Sequence, residues 1–156
     1  MISLYQIVGL FFGEILLIVL YFVGLKTLFL PHKRTFIELF FSGLVAWTGV
    51  SIIKYLFPVA RPFQALGTEL LTLPVNPYAS FPSGHAAVAF AIATTLWLHN
   101  YTNRKVWFGV AVLVAVGRVL LFVHYPIDVI VGALIGMLTS SVIYALYVQF
   151  SYHKSI

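Results

Sequence analysis

The stretch "SFPSGHAAVAFAIATTLWLH", residues 80 to 99, contains a boundary that decides what kind of molecule this is. Its first part is polar and turn-forming, whereas from Ala86 to Leu98 it carries no charge and only Thr94 and Thr95 as polar residues. Pro82 and Ser83 are helix-start residues, the Ser83 hydroxyl being able to cap, and the run that follows is continuous rather than alternating. This pattern predicts a membrane helix opening near residue 84. Four more apolar runs, at roughly 4 to 25, 36 to 57, 106 to 123 and 127 to 150, repeat it, with ends placed to about 2 to 4 residues.

Composition agrees: hydrophobic residues make up 62% of the 156 positions and charged residues 8%. Mean hydropathy is +1.03, far outside the range of soluble domains. Since a spanning helix needs about 20 apolar residues, the chain is read as one all-α integral membrane bundle, residues 1 to 156, of about five transmembrane helices. A helical bundle is favoured over a barrel because the runs are continuous and not short alternating segments. The first run lacks a basic leader and its positive charges follow it, so it is expected to be an uncleaved span rather than a signal peptide. With no cysteine, neither a disulfide framework nor thiolate chemistry is available.

The nine basic residues divide between two faces. Lys26, Lys33, Arg34, Arg104, Lys105 and Lys154 fall where five spans would place cytoplasmic connections, which predicts an external N-terminus and a cytoplasmic C-terminus. Trp97 and Trp107 sit near the same face, as interfacial indoles do. Lys54, Arg61 and Arg118 lie on the opposite, outer face and need another explanation. Gly9 with Gly13, and Gly132 with Gly136, are read as close-packing positions, with self-association the lesser alternative; a monomer or weak homo-oligomer is expected.

The outer face also collects Glu69, His85, His124 and Asp128. Three cations beside a helix N-terminus make an anion site, and the natural anion is phosphate. Gly84 permits close backbone approach, and the N–H groups of Ser83, Gly84 and His85 are expected to face the same space. His124 and Asp128, four apart, can meet on one face if Pro126 opens the last span, so that the carboxylate orients the ring. Taken singly, each feature also has an ordinary reading: a capped helix, a self-satisfied polar pair, a snorkelling lysine, an interfacial arginine. The residues alone leave open which histidine is the nucleophile. Glu14, in mid-span, is read as a minor polar contact whose replacement by Gln leaves hydrolysis within a fewfold.

In order, the three regions read K-x6-R-P at Lys54, Arg61 and Pro62, then P-S-G-H at Pro82 to His85, then R-x5-H-x3-D at Arg118, His124 and Asp128. Together they resemble the motifs of the type 2 phosphatidic acid phosphatase family, shared with glucose-6-phosphatase and vanadium haloperoxidases. The resemblance implies that His124 attacks phosphorus, Asp128 orients it and His85 protonates the leaving oxygen, then activates water. It also implies that Lys54, Arg61, Ser83, Gly84 and Arg118 hold the phosphoryl oxygens, and that neither metal nor other cofactor is needed. Two departures stand out: Gly117 occupies the position before Arg118 where the family usually has Ser, and many members have six spans.

The expected substrate is a lipid phosphate or pyrophosphate at the outer face of a bacterial cytoplasmic membrane: undecaprenyl pyrophosphate, phosphatidylglycerol phosphate, phosphatidic acid or lipid A 1-phosphate. Partners are that lipid and the bilayer, with no nucleic acid. A lipid-to-lipid phosphotransferase and a non-enzymatic lipid carrier are the alternatives. Within residues 63 to 73, "FQALGTELLTL" can form a small interfacial helix or a plain coil.

Overall fold

A computed structural model describes residues 4–29, 33–67, 76 and 78–153, with side chains to residue 150. Lys154, Glu69 and most of the expected interfacial segment lie outside the described residues. Within them the chain is helical: α1 (Leu4–Leu10) continues through a π-turn (Phe11–Ile15) into α2 (Leu16–Lys26) and a 3₁₀ turn (Thr27–Phe29). Then come α3 (Lys33–Leu56), the short α4 (Pro62–Leu66), α5 (Gly84–Leu98), α6 (Arg104–Leu120) and α7 (Pro126–His153). The only extended pairing among the described residues is an isolated bridge between Val59 and Ala79. Three rods, Leu4–Phe29, Lys33–Leu56 and Pro126–Phe150, are long and apolar enough to cross a membrane, and Gly84–Leu98 is a shorter apolar helix.

The helix starts follow local chemistry. Ser83 stands in extended conformation as the N-cap of α5, its Oγ accepting from the Ala86 N–H at 3.4 Å. Pro62 and Pro126 open α4 and α7, where a missing N–H does no harm. Gly67, with φ of 61°, ends α4, so the described part of the expected interfacial helix is a single turn.

The alanine-rich α5 lies at the centre and touches α2, α3, α6 and α7. Ala86, Ala87, Ala89, Ala91 and Ala93 are fully buried, as the slimness of this span predicts. On α7, a Cβ at Gly132 or Gly136 would overlap the Ser83 or Ala87 carbonyl oxygen of α5. On the first rod, Gly9 and Gly13 meet Leu120, Leu121, Gly117 and Arg118 of α6 and the turn after it. Both Gly pairs are thus engaged in packing within the chain. Large apolar side chains such as Phe22, Phe40, Trp47, Ile130 and Leu138 line the outside, where an aqueous protein would place charge.

The end of α6 falls short of the apolar run, within the margin placed on its bounds, and the chain reverses there. The apolar run continues to residue 123, yet α6 stops at Leu120 and Phe122 adopts φ of 55°. Leu121 and Val123 remain apolar because they are buried in the turn, not because the helix continues. This reversal carries His124 back over the N-terminus of α5.

Candidate active site

The C-terminal ends of α3 and α6 and the N-terminal ends of α5 and α7 meet at one end of the bundle, and all eight expected site residues lie there. Arg61 is only 5% exposed. Its Nε donates to the Asn76 carbonyl at 2.8 Å, one terminal nitrogen to Val123 O at 2.7 Å and the other to Ala79 O at 2.9 Å. Lys54 Nζ donates to Ala79 O at 2.6 Å and Ser80 O at 3.2 Å. These two cations therefore bind the 76–80 loop and the 121–125 turn to the end of α3, as well as supplying positive charge.

Arg61 also fixes the chemistry of His124. A guanidinium only donates, and its NH1 lies 3.4 Å from His124 Nε2, so Nε2 must present a lone pair and the ring proton falls on Nδ1. Nδ1 faces Asp128 Oδ2 at 3.5 Å, longer than a formed hydrogen bond. His124 is 3% exposed. Burial, together with Arg61, Arg118 and Lys54, outweighs the pull of Asp128 and lowers its pKa to about 3, so the ring is neutral at physiological pH. Burial and Arg118 likewise bring Arg61 down to about 10, where it stays charged.

Asp128 is held in turn. Its Oδ2 accepts from Ser80 Oγ at 2.6 Å and from the Tyr125 N–H at 2.9 Å, and its carbonyl accepts from the Ser83 N–H at 2.9 Å. That last bond corrects one expectation: the Ser83 N–H is bound to α7, not directed at a ligand. The N–H groups of Gly84 and His85, in the first turn of α5, have no intrahelical acceptor. A Cβ at Gly84 would find no atom closer than Val50 Cγ1 at 3.8 Å, so packing does not demand glycine there.

Arg118 and His85 share one partner. Glu14, from the π-turn, receives Arg118 NH1 on one carboxylate oxygen, while the other lies 3.3 Å from His85 Nε2. Arg118 is 1% exposed, so it is not a snorkelling interfacial anchor but a cation buried inside the bundle. Among the described residues no group of three or more His, Cys, Asp or Glu could hold a metal ion. Positive charge at this end comes from three side chains.

A family model described as the PAP2 superfamily matches residues 35–152. The chain belongs to the PAP2 superfamily. Among its PAP2 relatives, an undecaprenyl-diphosphatase of Sulfolobus acidocaldarius is 37% identical over 120 residues, covering 73% of this chain and 57% of the relative. A lipid A 1-phosphatase of Rhizobium etli is 34% identical over 120 residues, covering 70% and 49%. The crystal structure of Aquifex aeolicus LpxE superposes with a TM-score of 0.77 at 30% identity, over 93% of this chain and 88% of that one. The chain spans about half the length of the curated relatives it matches, 57% and 50% for two of them. It is a membrane protein of this superfamily.

Ser80 was missed in the sequence, and the part played by Glu14 was underread. Ser80 stands just before the P-S-G-H motif and belongs to none; its role depends on a 2.6 Å bond to Asp128, 48 positions away. Glu14 did carry a signal, since a carboxylate in mid-span requires a partner, but nothing in the sequence says that the partners are Arg118 and His85. Gly117 also acquires a reason. A Cβ there would overlap the backbone of Phe12 and Gly13, so the usual Ser is incompatible with the approach that delivers Glu14.

Proposed function

We propose that this protein is a metal-independent phosphatase that removes phosphate from a lipid phosphate or pyrophosphate through a phosphohistidine. The observation that carries this reading is the His124 ring, neutral, with Nε2 unprotonated beside Arg61 and Nδ1 toward Asp128. Nε2 attacks phosphorus in line, the bond from phosphorus to the lipid oxygen breaks, and that oxygen takes a proton from His85. His85 then accepts a proton from the water that attacks the phosphohistidine, releasing inorganic phosphate and restoring His124. Lys54, Arg61, Arg118 and the N-terminus of α5 with Ser83 and Gly84 stabilise the phosphoryl oxygens by charge and helix dipole, the larger part of catalysis in phosphoryl transfer.

A lipid substrate is favoured by the apolar exterior and by a groove of about 530 Å³ between α2, α3 and α5, lined by Tyr21, Leu25, Phe40, Trp47, Val88 and Ile92. Trp47 also borders Gly84, so an acyl or prenyl chain in the groove would run from the phosphate site along the membrane interior. The names of the relatives support undecaprenyl pyrophosphate and the lipid A 1-phosphate as leading candidates beside phosphatidylglycerol phosphate and phosphatidic acid. We assign five spans, an external N-terminus and a site facing the outside of a bacterial cytoplasmic membrane, in a protein that works as a monomer.

Phosphate release from purified lipid phosphates, with and without chelator, tests the function. Wild type is expected to remain active in chelator, and His124→Ala to lose at least about 10³-fold, the scale for removal of a nucleophile. Activity abolished by chelator, or retained in His124→Ala, would overturn the mechanism.

A further inference from the structure

The π-turn at Phe11–Ile15 interrupts the first rod between α1 and α2, and it bears Glu14. Such bulges turn a side chain that a regular helix would direct elsewhere. Here the turn presses Gly13 against Gly117: a Cβ at Gly117 would overlap the Gly13 backbone, and one at Gly13 would meet Gly117 and Arg118 tightly, at 3.3 Å. Glu14 then reaches two helices at once: Arg118 of α6 and His85 of α5. The Glu14 and His85 side chains are 27% and 33% exposed, whereas that of Arg118 is 1% exposed, so the carboxylate lies between the buried cation and the open part of the site.

Each histidine at this site therefore has its own carboxylate, with the ring nitrogens used in opposite senses. Asp128 faces Nδ1 of His124 and leaves Nε2 as the working nitrogen. Glu14 faces Nε2 of His85 and leaves Nδ1. We propose, resting on the phosphatase reading above, that Glu14 is a positioning residue: it accepts a hydrogen bond from the Nε2 proton of the His85 imidazolium and fixes the ring so that the second proton, on Nδ1, passes to the departing lipid oxygen and leaves Nδ1 as the base for water, and it aligns Arg118 for the phosphoryl group. Glu14 does not touch substrate in this scheme and takes no proton from it. The substitution of Gly117 for the usual Ser and the arrival of Glu14 are one structural arrangement, since the Ser side chain would displace the turn that carries the carboxylate.

The orientation of a general acid is read best by varying the leaving group. An alkanol leaves as a strongly basic oxygen and needs the proton, whereas a nitrophenol leaves without it. The proposal is tested by kcat/KM for phosphate release from a long-chain alkyl phosphate and from a long-chain nitrophenyl phosphate, in wild type, Glu14→Gln, Glu14→Asp, His85→Ala and the Glu14→Gln, His85→Ala double variant. Glu14→Gln is expected to lose about 10²-fold or more on the alkyl phosphate, the scale of general acid catalysis, and no more than about tenfold on the nitrophenyl phosphate. Glu14→Asp, which keeps the charge on a shorter arm, is expected to recover at least part of the alkyl-phosphate activity. On the alkyl phosphate the double variant should be slower than His85→Ala by no more than the loss Glu14→Gln shows on the nitrophenyl phosphate, because the acid role of the two residues is lost only once and what remains is the alignment of Arg118.

Equal losses on both substrates, or activity within a fewfold of wild type on both, would overturn the proposal. Should Glu14→Gln fail to fold, Glu14→Asp carries the test, with a smaller loss still confined to the alkyl phosphate. If instead wild type and His124→Ala are alike in releasing no phosphate from either substrate, it is the phosphatase reading that fails, and the two failures are told apart.

Discussion

At the scale of the residue, His124 links the chemistry of the site to the stability of the molecule. Its pKa is lowered from 6.5 to about 3, first by burial and then by the neighbouring cations. In the unfolded chain the ring regains its ordinary value, so between about pH 6.5 and pH 3 the unfolded state binds a proton that the native state refuses. Stability rises with pH wherever the unfolded state holds more protons; this contribution is complete above pH 6.5 and is lost as pH falls toward 3. Replacing His124 with Asn removes the titrating group while keeping a polar side chain of similar reach. Melting temperatures in detergent between pH 7 and pH 4 are therefore expected to fall more steeply for wild type than for His124→Asn. Parallel slopes would show that the ring is not held neutral by the fold.

At the scale of the element, the bundle depends on which glycines face backbone. Gly136 lies against the Ala87 carbonyl, and any side chain there must separate α7 from α5. Gly49, on α3, would have no atom within 4 Å of an added Cβ. Gly136→Ala is expected to destabilise the fold by about 1–3 kcal/mol through overpacking. Gly49→Ala should be neutral or stabilising by up to about 1 kcal/mol, since Ala is the better helix former and restricts the unfolded chain. Unfolding of both variants in one detergent decides the point, and similar effects would contradict the packing. The starts of α5 and α7 were legible because Ser83 and Pro126 act locally. The end of α6 was not, because Leu121, Phe122 and Val123 look like more helix and are turned by tertiary packing. The π-turn was equally hidden: "FFGEI" shows no local reason to leave the α-helix, and the turn packs closely against Gly117 of another element.

At the scale of the whole molecule, the two ends of the bundle differ in their charges, and this asymmetry bears on which way the protein faces. The three motif regions were readable because their residue types are specific to phosphate chemistry and occur in order; Glu14 was not, because it meets Arg118 across 104 positions. The end opposite the site has its own polar cluster, where buried Glu38 accepts from Arg34 Nε at 2.7 Å and pairs with His99 Nε2 at 2.8 Å. Arg34 belongs to the basic group that, with Lys26, Lys33, Arg104 and Lys105, should be retained in the cytoplasm. If so, the turn between α6 and α7 faces outward and the turn between α5 and α6 inward. The chain contains no cysteine, so single cysteines report cleanly. Tyr125, 37% exposed, lies in the first turn, and the exposed Thr102 lies in the second. In intact bacteria expressing the protein, Tyr125→Cys is expected to react with a membrane-impermeant maleimide, and Thr102→Cys only after permeabilisation. The opposite pattern would place the site in the cytoplasm and reverse the assigned orientation. Labelling of both in intact cells would mean that α6 does not separate them across the bilayer, and the five-span assignment would fall at that helix, which is 17 residues long and ends in Arg118 and two apolar residues.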